Sequence, residues 1–203
     1  FVKKNYANWL NIDDDETPVM SHTLINKNAS HIIKKSKSVF LVVIDNLRYD
    51  QWISIRPTLR EKFTIKNEQL YLSILPTATQ YARNALFAGL MPSEIQKKFP
   101  KYWKNDEDEG GKNMFEKELF EAQMKRIDGS AKVSYNKITN LAAGKKLVDN
   151  FSQLLNNKVN VVVYNFVDML SHARTDMEVI RELADDEAAY RSLTQSWFEH
   201  STL

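Results

Sequence analysis

Apolar and polar residues alternate in blocks along the chain, and the blocks predict strands and helices in turn. Residues 39–44 and 159–167 are largely apolar, as expected of parallel strands buried on both faces. Shorter runs at residues 69–75 and 131–135 are two further strand candidates. Stretches with helical character separate or follow them, at residues 47–63, 80–90, 114–126, 141–156 and 177–200. This alternation predicts an α/β fold, a mostly parallel sheet with helices on both faces.

Two regions depart from the alternation. Residues 1–36 are predicted to form a helical or irregular lead-in before the first strand. Residues 91–113 contain two prolines, an acidic run at 106–109 and two adjacent glycines, which together predict a surface loop or insertion. We therefore expect the lead-in to be followed by one α/β domain over residues 37–203, with an insertion loop at about 91–113.

Composition narrows the classes of function. The chain of 203 residues has a net charge of +2, so no strong basic field favours bulk nucleic-acid binding. It has no cysteine, so metal ligands must be carboxylates, imidazoles or hydroxyls. No apolar run approaches the ~20 residues that span a bilayer, and the N-terminus lacks the apolar segment of a signal peptide. A cytoplasmic location without membrane partners is expected, and the first residue, Phe1, predicts an excised or processed piece.

Polar residues with metal-binding or nucleophilic chemistry follow three predicted strands. Asp45 ends the first strand, and Thr77 and Thr79 lie in the turn after the second. Asp168 ends the strand at 159–167, and His172 lies four residues beyond. Ligands of open α/β sheets bind beyond the carboxyl ends of the strands, so these residues are expected at one edge.

This mixture of donors suits zinc or manganese, and a hydroxyl at a helix start lies near backbone N–H groups that favour phosphate. It suggests a metal-activated threonine alkoxide that attacks a phosphoester. Each residue also has a simpler interpretation: Asp45, Thr79 and Asp168 could cap the following helices, and His172 could be solvated. Weaker candidates for contacts to phosphate oxygens are Asn46, Arg48, Arg83 and Asn84, for which roles on a helix surface are equally open.

Four segments of the chain resemble the PglZ domain of the alkaline phosphatase superfamily. VIDNLRYDQW is similar to its first strand and helix, and PTATQYARNALFAGLMPSEI is similar to its nucleophile segment. DEDEGGKN and VYNFVDMLSHAR resemble two further PglZ segments. The resemblance is strongest to the domain found in response regulators of the PorX type, and it extends from about Pro18 to the chain end.

The resemblance implies a site with two zinc ions, or manganese in their place. Asp45 would bind one metal, with Thr79 as its bridging nucleophile, and Asp168 and His172 would bind the second. Thr77 is the alternative nucleophile. The implied activity is hydrolysis of phosphomonoesters or phosphodiesters, on nucleotides or oligonucleotides in PorX-like proteins. A receiver domain in the same protein and a histidine kinase are the implied partners.

One departure from the superfamily pattern stands out. The remaining ligands of the superfamily, an Asp-His pair and a further histidine, follow the D-x-x-x-H segment, whereas His200 is the one histidine after His172 here. We therefore expect the N-terminal half of a PglZ domain, with the C-terminal half as its partner and reduced or absent activity alone. An exposed sheet edge would also favour pairing in a homodimer. The competing hypothesis is a non-catalytic signalling or interaction module that keeps the fold. A nucleotide-binding domain of another family is disfavoured because no G-x-x-x-x-G-K loop is present.

Overall fold

The computed structural model describes residues 2–11, 16–105, 108, 111 and 113–201. It divides into two compact units, each described here by itself. The helical unit is the described part of Phe1–Ser36 and Gln69–Ala131, and the sheet unit is the described part of Lys37–Glu68 and Lys132–Leu203.

Helices dominate the secondary structure. In chain order they are α1 Val2–Asn11, α2 Ser30–Lys35, α3 Tyr49–Lys62, α4 Thr79–Ala88, α5 Pro92–Lys98, α6 Glu116–Ile127, α7 Leu141–Asp149, α8 Phe151–Leu154, α9 Phe166–Asp176, α10 Glu178–Leu183 and α11 Glu187–His200. A π-helical turn at Ile25–Ala29 precedes α2, and a 3-10 turn at Pro100–Tyr102 follows α5. No described helix combines the length and apolar character needed to cross a membrane.

The sheet unit is built on three parallel strands, β1 Val39–Ile44, β2 Val133–Ile138 and β3 Val159–Tyr164. The strand order is β1-β3-β2, so β3 is central, and every one of its residues is buried. Helices α7 and α11 supply Leu147 and Trp197 to the core at the end of β3. The predicted α/β class with a parallel sheet and flanking helices is confirmed, and the architecture is consistent with part of an alkaline-phosphatase-like fold.

A buried asparagine ties the three strands together near their amino ends. Asn160 is fully buried on β3, and its Oδ1 accepts hydrogen bonds from Ser134 Oγ of β2 at 2.6 Å and from Asn157 Nδ2 at 3.1 Å. Its Nδ2 donates to Ser38 Oγ, just before β1, at 3.2 Å and to the Leu154 carbonyl oxygen at 2.9 Å. Because each polar atom of this amide has partners, its burial costs little.

The helical unit has its own apolar core. Met20, Ile74 and Ala85 are buried together, and Tyr6 and Trp9 of α1 pack against them. Helices α4 and α6 also pack together, with the rings of Phe87 and Phe120 edge to face at 6.0 Å.

The predicted strand at residues 69–75 is wrong. Its backbone makes one isolated bridge, between Leu72 and Met20 in the helical unit, and does not join the sheet. Side chains take two of its backbone donors: the Leu75 N–H donates to Tyr6 Oη at 2.6 Å and the Ile74 N–H to Ser21 Oγ at 3.1 Å. These two backbone N–H groups therefore have hydrogen-bond partners without a neighbouring strand.

Two element boundaries also differ from prediction. The strand predicted to reach residue 167 ends at Tyr164, so Asp168 lies in the first turn of α9. The helix predicted over residues 141–156 breaks at Asn150, whose Nδ2 donates to the Lys146 carbonyl oxygen at 2.7 Å and competes with the helical ladder. Several apolar residues of this segment are exposed: Val148, Phe151 and Leu155.

The segment at 91–113 is not wholly a loop, because it contains α5 and the turn at Pro100–Tyr102. Except for Asp108 and Gly111, its acidic run and glycine pair lie outside the described residues.

Candidate functional site

Asp45 lies directly after β1, in a tight turn at the carboxyl edge of the sheet. Its backbone N–H donates to the carbonyl oxygen of Tyr164, the last residue of β3, at 2.9 Å. Asn46 follows with φ of 60°, a left-handed conformation that asparagine tolerates better than most residues. Asn46 is therefore the turn residue after β1. Its backbone has this role whatever its side chain binds.

Asp168 and His172 lie one turn apart on α9. Nε2 of His172 is 3.7 Å from Oδ1 of Asp168, and their side chains are 75% and 24% exposed, respectively. Because β1 and β3 are parallel neighbours, the turn at Asp45 and the start of α9 both lie at the carboxyl edge of the sheet. The structure thus keeps three predicted ligands in one unit and at one edge, although Asp168 arrives there on a helix.

None of the three residues that could cap a helix, Asp45, Thr79 and Asp168, lies at an N-cap position. The residue at the cap of α3 is Arg48, so Asp45 does not occupy that position. Ala78 caps α4 and Thr79 is its first helical residue, while Asn165 rather than Asp168 precedes α9. The simpler interpretation of these side chains, as N-caps, is therefore excluded.

The Asp168–His172 pair fits part of a zinc shell. A carboxylate and an imidazole four residues apart on a helix are donors that zinc accepts, and solvent can reach both. Catalytic zinc usually has three protein ligands, however, and no group of three or more His, Asp or Glu side chains suited to a metal occurs among the described residues. Asp45, which lies at the same edge of the sheet, is a candidate for a third donor.

Four further predicted site residues belong to the helical unit: Thr77, Thr79, Arg83 and Asn84. Thr77 is exposed, and Thr79 is half-buried at the start of α4, where the first backbone N–H groups of a helix lack intrahelical partners. Arg83 and Asn84 are buried on the same helix, 6% and 1% exposed. This burial makes them less suited to meeting a substrate than the two threonines.

The arginines predicted to hold phosphate are already engaged by carboxylates. Arg83 Nε donates to Oε1 of buried Glu116. Arg48 forms ion pairs with Asp50, at 2.8 Å, and with Glu187. The hydrogen bonds that Arg48 donates to Asp50 raise the pKa of the guanidinium above its ordinary value, and this effect exceeds the opposite effect of partial burial. These carboxylates offset much of the charge that would attract an anion.

Arg48 also belongs to a stacked arrangement that the sequence did not indicate. Its guanidinium and that of Arg174 each lie 5.1 Å from the centre of the Tyr190 ring. Glu187 Oε1 accepts from Arg174 at 3.1 Å. The sequence contains one indication of the two carboxylates but not of their arginine partners. Asp50 and Glu187 are acidic residues in the first turns of α3 and α11, where carboxylates are favoured.

Comparison with family models gives a match over most of the chain. The model described as the BREX system PglZ alkaline phosphatase-like domain matches residues 24–200, which include Asp45, Thr79, Asp168 and His172. Comparison with curated proteins gives no match.

Proposed function

This chain belongs to the PglZ family of alkaline phosphatase-like domains, and we propose that it carries the metal-binding and nucleophilic residues of a phosphoester hydrolase. The observation that carries the proposal is the placement of half-buried Asp168 and exposed His172 one turn apart on α9, at the sheet edge that also bears Asp45.

The proposed roles follow the resemblance residue by residue. Asp45, Asp168 and His172 would hold zinc, with manganese as the second choice of metal. When bound, such an ion neutralises phosphate oxygens and makes a nearby hydroxyl a better nucleophile. Thr79 would supply that hydroxyl, and its place at the first helical residue of α4 puts backbone N–H groups beside it that favour an anion. Thr77 is the alternative nucleophile and Asn46 would contact substrate, whereas Arg83 and Asn84, which the sequence also suggested as substrate ligands, are buried on α4 and have no part in the proposal.

The biological setting of the proposal rests on the PorX-like resemblance alone. It would place the domain in a cytoplasmic response regulator, with a receiver domain and a histidine kinase as partners and nucleotides among the substrates. The C-terminal half of a PglZ domain would then supply the remaining metal ligands.

Zinc titration by calorimetry tests the metal-binding part of the proposal. We expect the chain to bind zinc and Asp168→Ala to lose most of that binding, because a helix with one donor left cannot chelate. Asp149→Ala is the matched control, since it removes an exposed carboxylate at the end of α7, outside the proposed site. Equal zinc binding by the two variants would refute a role for Asp168 as a ligand.

Hydrolysis of bis-p-nitrophenyl phosphate in the presence of zinc tests the nucleophile. Thr79→Ala should abolish turnover, whereas Thr79→Ser replaces the secondary hydroxyl by a primary one and should retain part of the turnover. Thr77→Ala separates the two threonines: if it, and not Thr79→Ala, abolishes turnover, the nucleophile is Thr77. Circular dichroism confirms that each variant is folded, which is expected because Thr79 forms no side-chain cap.

One observation favours the second candidate function, a non-catalytic interaction module. Within the described ranges, no three acidic or histidine side chains converge as a metal shell. Under this hypothesis the chain binds no zinc, and turnover is absent whether or not Thr79 is changed. Zinc binding that depends on Asp168 would exclude it.

A further inference from the structure

Four residues of α11 form one contact face in the sheet unit. Glu187, Tyr190, Arg191 and Thr194 follow one another at helical spacing, so they lie along the same side of the helix. Each of them makes a polar or ring contact with the start of α3 or with α9. These four residues, the α11 contact face, therefore touch the two helices closest in the chain to the donors proposed for zinc.

Tyr190 packs against the part of α9 that carries Asp168 and His172. It is 3% exposed and shares an apolar cluster with Leu170, which lies between these two donors in the chain. Its hydroxyl donates to the carbonyl oxygen of Val167, the residue before Asp168, at 3.4 Å. The Tyr190 side chain thus contacts the backbone that presents both donors.

The α11 contact face also holds the start of α3, just after the turn that contains Asp45. Thr194 Oγ1 accepts a hydrogen bond from Gln51 Nε2 at 2.8 Å, and both side chains are fully buried. Arg191 donates to Asp50 Oδ2 at 3.1 Å. Because the chain runs directly from Asp45 into this helix, these bonds restrict the position of the turn relative to α11.

Two arginines join the start of α3 to α9 through α11. Arg48 precedes the first residue of α3, and Arg174 follows His172 by one turn or less on α9. The guanidinium of each arginine lies 5.1 Å from the centre of the Tyr190 ring. Glu187 accepts from Arg174 at 3.1 Å and forms an ion pair with Arg48. The same ring and the same carboxylate therefore connect the two segments.

A shared metal ion would be sensitive to this connection. Its donors come from two segments, with Asp45 after β1 and the Asp168–His172 pair on α9. Zinc needs nitrogen and oxygen ligands at about 2.0–2.2 Å, so a small displacement of one segment takes a donor out of reach. Groups that orient metal ligands without touching the metal change metal affinity for this reason.

We propose that Tyr190 and Glu187 are positioning residues for zinc, which fix the turn at Asp45 relative to Asp168 and His172. The inference rests on the proposed function, because it concerns the same metal site. Ion pairs of exposed side chains, such as those of Glu187, contribute little alone. The buried ring of Tyr190 should therefore have the larger effect.

Zinc titration by calorimetry on the whole chain tests the role of Tyr190. Tyr190→Leu removes the ring, and we expect zinc binding to weaken about three- to tenfold, at or below the lower end of the effect of groups bonded directly to a ligand. Tyr190→Phe keeps the ring between the arginines and should bind zinc within about twofold of the unchanged chain, since it loses one long hydrogen bond. Circular dichroism selects a temperature at which each variant is fully folded, where a purely structural role would leave zinc affinity unchanged.

Glu187→Ala keeps the proposal testable if Tyr190→Leu does not fold, because the Glu187 side chain is 53% exposed. We expect this variant to bind zinc about two- to fivefold more weakly, and Glu187→Gln, which keeps acceptor oxygen for an arginine, to lose less. Glu68→Ala is the matched control. It removes a carboxylate that pairs with Arg56 of α3 at 3.1 Å, outside the α11 contact face, and should leave zinc affinity unchanged.

The results separate this inference from the proposed function. Weaker zinc binding in the Tyr190 and Glu187 variants, with unchanged binding in Glu68→Ala, supports the inference. Zinc binding by the unchanged chain that every folded variant of the α11 contact face retains in full would overturn the inference and leave the proposed function intact. An equal loss in Glu68→Ala would do the same. No zinc binding by the unchanged chain would refute both.

Discussion

Arg83 and Glu116 form an ion pair inside the helical unit, with side chains only 6% and 1% exposed. The pair joins α4 to α6, and Asn113 Nδ2 adds a hydrogen bond to Glu116 Oε1 at 3.1 Å. An arginine that the sequence presented as a phosphate ligand therefore has a structural partner 33 positions away.

Breaking this ion pair should destabilise the protein strongly. Arg83→Met leaves the Glu116 carboxylate buried without its counter-charge, and such losses cost about 3–5 kcal/mol. Urea unfolding measures the change in free energy. The double variant Arg83→Met, Glu116→Leu should recover much of the loss, because no buried charge remains. A double variant as unstable as the sum of the single variants would show that the two side chains do not act as a pair.

Gly89→Ala should destabilise the junction after α4. Gly89 has φ of 60°, and an added Cβ would lie within 3.0 Å of three atoms of the Gln123 side chain. In the orientation that satisfies its amide, Gln123 donates to the carbonyl oxygens of Leu86 and Phe87 at the end of α4. Left-handed strain alone costs about 1–2 kcal/mol, and displacement of Gln123 adds to it.

Gly129→Ala is the matched control for Gly89→Ala, measured by thermal unfolding. A Cβ there would meet only the Lys125 carbonyl oxygen, at 3.8 Å, and no left-handed φ is involved. Its melting temperature should stay close to that of the unchanged chain. Equal losses for the two variants would contradict the role assigned to Gly89.

Asn160→Ala should loosen the amino ends of all three strands. The change leaves Ser134, Asn157 and the Leu154 carbonyl oxygen without the partner that Asn160 provides. Several buried polar groups left unsatisfied predict a loss of about 3 kcal/mol in the free energy of unfolding. Asn156→Ala, at an exposed position close by, should change it by less than about 0.5 kcal/mol. Hydrogen exchange of the β3 amides provides a second measurement, and unchanged protection there would rule out this role.

Stability should fall at acidic pH through the carboxylates around Arg48. Hydrogen bonds from Arg48 hold the pKa of Asp50 below 3.8 and that of Glu187 below 4.5, their ordinary values. Because the pKa is lower in the folded protein, the stabilisation is complete above the ordinary values and disappears as pH falls through the folded ones. The effect is small because both carboxylates are exposed.

Thermal unfolding of Glu187→Gln and the unchanged chain from pH 7 to pH 3 checks this prediction. The unchanged chain should be slightly more stable at pH 7, and the difference should shrink below about pH 4.5. A difference that is constant with pH would show that the Glu187 carboxylate does not contribute through its charge.

The sequence alone was sufficient where the signal is local. The apolar run at 159–164 forms the central strand β3, in which every residue is buried, whereas the run at 39–44 forms β1 at the edge of the three-stranded sheet and, against the prediction, is only partly buried, with Val42 43% exposed. Asp45 could be placed after β1, and His172 one turn beyond Asp168, from position along the chain alone. The same local rules failed at 69–75, where two backbone N–H groups donate to Tyr6 and Ser21 instead of to another strand.

Only the tertiary structure decided what depends on distant partners. The order β1-β3-β2, the pairing of Arg83 with Glu116 and the meeting of Tyr164 with Trp197 join residues far apart in the chain. Periodicity reports how a segment divides its faces between water and core, but not which other segment covers the buried face. The sequence therefore determined the α/β class and the position of Asp45 directly after β1. The packing of helices and strands determined which of these side chains remain available for chemistry.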